Sequence, residues 1–139
     1  MQFWKDADEP IRFFVKMFET AMNEPDLVEG VKKVNQLILF DYTANGPNCC
    51  FWLDSRGGQA KVGAGHPADK PDLIMSLDAD NAHRAWSNKL NPVVAITTRK
   101  IKVKGSPAGL LKLVPKMGKL AEIYNGVLRS EGREDLILK

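Results

Sequence analysis

The chain has 139 residues, 44% hydrophobic and 27% charged, with 11 Gly and 8 Pro. These ordinary globular values exclude a disordered, collagen-like or coiled-coil chain, and the length suits one domain over residues 1–139 that buries about two-thirds of its unfolded surface. Net charge is only +3, yet it is unevenly spread: residues 1–70 carry eight basic and ten acidic side chains, residues 71–139 twelve and seven, and residues 81–121 hold nine cations and no carboxylate.

The first ten residues, MQFWKDADEP, have no apolar core segment and carry acids early, so no signal peptide is expected. No stretch approaches the ~20 apolar residues of a membrane span. Residues 9–22 place Ile11, Phe14, Val15, Phe18 and Met22 at helical spacing, with Pro10 tolerated in the first turn. A second helix follows Pro25, with Leu27, Val28, Val31 and Val34 on one face. Residues 36–43 and 49–54 are β-rich and are joined by an Asn45-Gly46-Pro47-Asn48 turn cluster. A hairpin turn at residues 55–58 leads to a third strand at 59–63, and a Gly/Pro-rich loop to a fourth at 72–78. Together these read as a four-strand meander. Asp78 or Asp80 then caps a helix over residues 81–89, and Asn91-Pro92 starts one more helical turn at 93–96. Residues 99–104 alternate strictly, with Ile101 and Val103 on one side and Lys100, Lys102 and Lys104 on the other, as in a fifth strand.

After Gly105, Ser106 and Pro107 open a long apolar helix carrying Leu110, Leu113, Val114, Met117, Leu120 and Tyr124 on one side. Pro115 lies inside this pattern. It lacks an N–H and its ring collides with the carbonyl of Leu111, so a kink or two abutting helices are expected. The resulting class is α+β, with helices packed on a mainly antiparallel sheet of five strands.

Little in the chain points to catalysis. There is no phosphate-binding glycine loop, no metal-ligand spacing and no GxSxG elbow. Cys49 and Cys50 are adjacent, so a strand sends them to opposite faces as two reduced thiols rather than a disulfide. His83, on a helix, is expected at the surface or its boundary. A cytosolic compartment is the default reading, and no cofactor is expected. The unusual features are soft, large apolar residues (Trp52, Met75, Trp86, Leu110, Leu111, Met117), which suit an adaptable apolar cavity, and the acid-free basic run, which favours an anionic partner.

Residues 71–120 resemble the sterol-binding domain of the sterol carrier protein type two family. The resemblance is carried by the strand at 72–77, the helix at 80–88, the Lys89-Leu90-Asn91-Pro92 turn, the short helix at 94–96, the Lys100-Ile101-Lys102-Val103-Lys104-Gly105 strand and the leucine-rich helix after it. It extends over about residues 11–124, and the tail at 123–138 is similar to that of small stand-alone prokaryotic members. It implies a five-stranded sheet with helices on one side, an apolar tunnel between them, and non-enzymatic binding of sterols, fatty acids, fatty acyl-CoA or phospholipids. The sequence departs from the family pattern where Asn88 replaces a usual Gly, Trp86 a common Leu, and Ser106-Pro107 the residues after the fifth strand.

Pattern and resemblance together give an expected lining of Trp52, Met75, Trp86, Ile96, Leu110, Leu113, Val114 and Met117, with Leu90 and Ile101 behind them. Lys100, Lys102 and Lys104 are the candidates for headgroup or anionic-membrane contact. The expected activity is binding, with intracellular transfer, of a lipid or fatty-acyl ligand. The alternative is an enzyme on a lipid-like or acyl-thioester substrate, with Cys49, Cys50 or His83 in the cavity. A nucleic-acid partner is not expected, because no aromatics interleave with the cations of the fifth strand. The sequence leaves a monomer or a dimer open.

Overall fold

The computed structural model describes residues 2–139. Helix α1, Asp8–Ala21, begins where the Asp6 carboxylate accepts from the Asp8 and Glu9 amides, and it carries acids in its first turn, as the helix dipole favours. Its Phe13, Phe14, Met17 and Phe18 are all fully buried. Helix α2, Pro25–Val34, starts on proline and ends at Asn35 in the left-handed region.

Strands β1 (Leu37–Asp41), β2 (Cys50–Asp54), β3 (Lys61–Ala64), β4 (Leu73–Ser76) and β5 (Lys102–Lys104) form one sheet in the order β3-β2-β1-β4-β5. The first three strands form the expected meander, but the fourth does not join it. β4 pairs parallel to β1, from Ile38↔Leu73 to Asp41↔Ser76, while every other pair is antiparallel. The reason lies in residues 65–72. Instead of a tight turn they return from edge strand β3 to the far side of β1. Asp72 receives the Leu37 amide on its carboxylate and donates its own amide to the Leu37 carbonyl. Arg56 bonds Asp69 in the same crossing.

Alternation divides the sheet. Ile38, Phe40, Phe51, Leu53, Leu73 and Met75 point into the core beneath the helices. Leu39, Trp52 and Ile74 are cross-strand partners on the opposite face. Rings from four elements fill the core: Phe40 stacks on Phe51 at 4.6 Å between centroids, and Phe18 meets both Phe40 and Trp86.

Helix α3, Ala79–Trp86, is capped by Asp78, which accepts from the Asn81 amide at 2.8 Å. It closes in a Schellman arrangement: the Lys89 amide bonds the Arg84 carbonyl, the Asn88 amide bonds Ala85, and Asn88 has φ 61°. This position demands left-handed backbone, which Gly adopts most readily and Asn next, so Asn88 suits the place where the resemblance implies a Gly. Helix α4, Pro92–Thr97, is capped by Asn91 and stopped by Arg99 at φ 62°. That stop, with the Ile101 amide bonded back to Ala95, shortens β5 to three residues from the six expected.

The long C-terminal helix is broken as Pro115 requires. Helix α5 covers only Ala108–Leu111, a 3-10 turn runs over Val114–Lys116, and helix α6 spans Met117–Ser130. Gly109 lets α5 approach the end of α2: a Cβ there would lie 2.9 Å from the Val34 carbonyl oxygen. No helix among the described residues is long and apolar enough to cross a membrane.

Candidate functional site

An apolar cavity of about 60 Å³ lies between the core face of the sheet and the broken C-terminal helix. Its floor is Phe40 and Tyr42 with Met75, Leu77 and Ile101. One side is the face of α3 formed by Ala82, Ala85 and Trp86, three- and four-residue neighbours. The opposite side is Leu110, Leu111, Leu113, Val114 and Met117, and Pro92 borders it. No charged side chain belongs to the wall.

Seven of the ten sequence-expected lining residues fall in this wall: Met75, Trp86, Ile101, Leu110, Leu113, Val114 and Met117. Leu90 lies just outside, in a groove that also holds Pro92, Val114 and Met117. Ile96, on α4, packs against the core but not in this wall. Trp52 is on the wrong side of the sheet. Strand alternation puts it opposite Phe51 and Leu53, and its indole covers Gly63, where a Cβ would lie 2.4 Å from the ring. Leu111, one of the residues suited to an apolar cavity by its type, is also in the wall, and Phe40, Tyr42, Leu77, Ala82, Ala85 and Pro92 are there without having been expected. The signal for several was present: Tyr42 follows Phe40, and Leu77 follows Met75, at two-residue steps, and Ala82 precedes Trp86 by four.

The cavity is far below the roughly 300–1,000 Å³ of ordinary ligand pockets. A lipid therefore needs the wall to move. On the short α5 and the turn after it, the wall residues Leu110, Leu111 and Val114 are only half-buried.

The polar groups near the wall are few. Trp86 donates its indole N–H to the Tyr42 hydroxyl at 3.2 Å, and burial pushes the Tyr42 phenol far above its usual range. His83 is 0% exposed rather than at the surface, and it turns away from the cavity. Its Nε2 lies 2.8 Å from the Leu136 carbonyl, which can only accept, so Nε2 carries the proton. The bare Nδ1 then accepts from the Tyr124 hydroxyl at 2.6 Å. Burial lowers the His83 pKa to about 4. Cys49 and Cys50 are free and buried, neither is in the wall, and burial raises the Cys49 thiol to about 11. The alternative enzymatic site thus lacks its three expected groups in the cavity. Among the described residues no cluster of three metal-ligating side chains occurs.

Lys102 and Lys104 are exposed on the sheet face opposite the cavity, as is the alternation partner Lys100 beside the groove of Asp41, Thr43 and Ser76. No ion pair holds any of the three among the described residues. Not all of the acid-free run stays uncompensated. Lys119 lies 3.0 Å from Asp26 and Lys116 3.9 Å from it, so one acid of α2 answers a cation of α6 and one of the turn before it.

A five-stranded sheet roofed by helices, with an uncharged cavity between the layers, defines a carrier-type domain for apolar molecules. The chain belongs to the SCP-2 sterol transfer family, whose model matches residues 14–117. It is 30% identical over 112 residues to hydroxysteroid dehydrogenase-like protein 2 of Xenopus tropicalis, covering 80% of this chain and 25% of that protein. The human protein of the same name is 34% identical over 91 residues, 65% of this chain and 21% of that one. The chain thus spans about a quarter of the length of these relatives. Among solved structures it is similar to the sterol carrier protein domain 2 of Helicoverpa armigera, at TM-score 0.59 and 27% identity over 78% of this chain and 86% of that one. The apo sterol carrier protein 2 of Yarrowia lipolytica shares the fold at TM-score 0.55, 23% identity, and 82% and 88% coverage.

Proposed function

We propose that this chain binds a lipid with a long aliphatic or sterol-like body between α3, the α5–α6 break and the sheet, and passes it between membranes or proteins without chemical change. The observation that carries this is the continuous uncharged wall, part of which is built from a short, proline-broken helix. Each methylene moved from water into such a wall gains ~0.8 kcal/mol, and a broken helix can part from the sheet at less cost than an intact one. The name of the curated relatives supports a sterol-like ligand among the candidates.

The finer parts of the reading follow the same logic. Lys100, Lys102 and Lys104 cannot reach the cavity interior from the outer face, so we assign them to an anionic membrane surface rather than to a bound headgroup, at ~1 kcal/mol per cation.

Native mass spectrometry of the protein purified from cells tests the core of the proposal, together with uptake of a fluorescent fatty acid and of a fluorescent sterol. Co-purified lipid and saturable uptake are expected. Absence of both would overturn it.

A further inference from the structure

Tyr42 presents an unspent hydrogen-bond donor to an otherwise apolar wall. Its side chain is 1% exposed and belongs to the cavity floor. Its hydroxyl oxygen accepts the Trp86 indole proton, and Trp86 is a wall residue too. A phenol that accepts one hydrogen bond still has its own proton to give, and among the described residues the bond from Trp86 is the one hydrogen bond that the Tyr42 hydroxyl makes. The other buried tyrosine differs: Tyr124 spends its proton on His83, outside the cavity. Buried polar groups are almost always paired, so a half-used hydroxyl beside an apolar cavity marks a place where a ligand atom completes the pairing. The bond from Trp86 fixes the phenol oxygen and polarises its O–H, which strengthens the donation.

The same wall limits the chemistry of that atom. It holds no cation, and a carboxylate or phosphate taken into it would be an unpaired buried charge. Resting on the lipid-binding reading above, we propose that Tyr42, held by Trp86, is a specificity-determining donor that selects lipids carrying an uncharged oxygen (an alcohol, ketone or ester) and seats that oxygen inside the cavity. Anionic lipids then bind only with the charged end outside.

The test is displacement of a fluorescent lipid by 1-dodecanol, 2-tridecanone, n-dodecane and dodecanoate at pH 8, with wild-type protein, Tyr42→Phe and Trp86→Phe. Net hydrogen bonds are worth a few-fold to about tenfold in affinity. Tyr42→Phe should therefore weaken dodecanol and tridecanone about fivefold and leave dodecane and dodecanoate within twofold. Trp86→Phe, which keeps an aromatic ring but removes the holding bond, should weaken the same two ligands by a smaller factor. Equal change for all four ligands, or none, would overturn the donor role while leaving lipid binding intact. Failure of the wild-type protein to bind any of the four would overturn the lipid-binding reading itself. Should either variant fail to fold, the Trp86 indole N–H resonance of the wild type decides: because Trp86 lines the cavity both ligands shift it, but dodecanol, which draws on the Tyr42 hydroxyl, should move it further than dodecane at saturation, and equal movement would refute the proposal.

Discussion

His83 makes the stability of this fold depend on pH in a defined window. Its imidazole is fully buried, with the proton on Nε2 bonded to Leu136 and Nδ1 accepting from Tyr124. Protonating Nδ1 reverses the Tyr124 bond, so that the phenol proton loses its acceptor, and places a charge among the Phe3, Trp4 and Tyr124 rings. The folded-state pKa is lowered to about 4, against about 6.5 in an unfolded chain. Between those values the unfolded state holds one more proton than the folded state, so stability falls as pH falls, by ~1.4 kcal/mol per unit. The contribution is fully present above about pH 7, has lost about 2.5 kcal/mol by pH 4.5, and amounts to about 3 kcal/mol in all. The carboxylates held low by partners, such as Asp54 beside Arg56 and Glu131 beside Lys16, also weaken the fold in acid. They do so in any variant, so the informative quantity is a difference. Urea unfolding of wild type and His83→Gln should be followed from pH 8 to 4.5 by tryptophan fluorescence. The wild-type stability minus that of the variant should be flat above pH 7 and fall by about 2.5 kcal/mol at pH 4.5. Parallel curves across the range, or a fall completed above pH 6.5, would refute the buried neutral imidazole.

Three other substitutions probe the site and its frame. Ala85→Leu adds three carbons to the cavity wall. If it displaces two methylenes of ligand, lipid uptake should drop about tenfold or more, with the circular dichroism spectrum of the wild type retained. Trp52→Ala, on the outer sheet face, should lower unfolding stability by about 2 kcal/mol while leaving lipid affinity within twofold, and a large loss of affinity would return Trp52 to the cavity. Gly109→Ala improves helix propensity yet drives a Cβ to 2.9 Å from the Val34 carbonyl oxygen. It should destabilise the protein by about 1–3 kcal/mol, measured by denaturant midpoint, and a gain in stability would show that α5 does not lie so close to α2.

Local physics was legible in the residues themselves. Helical spacing in residues 9–22 and 25–34, the Asn91-Pro92 start and the break at Pro115 depend on a residue and its near neighbours, and all four recur in the structure. The alternation at Ile101 and Val103 likewise put the lysines of that strand on the far side from the core. Strand pairing was different. A Gly/Pro-rich loop reads equally as a turn or as a crossing, and only the placement of β4 beside β1 shows which. Trp52 failed for the same reason: alternation said that it opposes Phe51 and Leu53, but not which of the two faces the helices cover.

The sequence by itself determined the elements, the broken C-terminal helix and the basic strand face, because propensity, capping and periodicity act over a few residues. Only the tertiary structure decided what those pieces enclose. It moved His83 from the surface into a buried pair with Tyr124, set Asp26 of α2 against part of the basic run, and placed Tyr42 beside Trp86 in an uncharged wall. Each of those outcomes joins residues more than forty apart in the chain. Burial and pairing at that range arise from packing of whole layers, to which no local pattern of residues is sensitive.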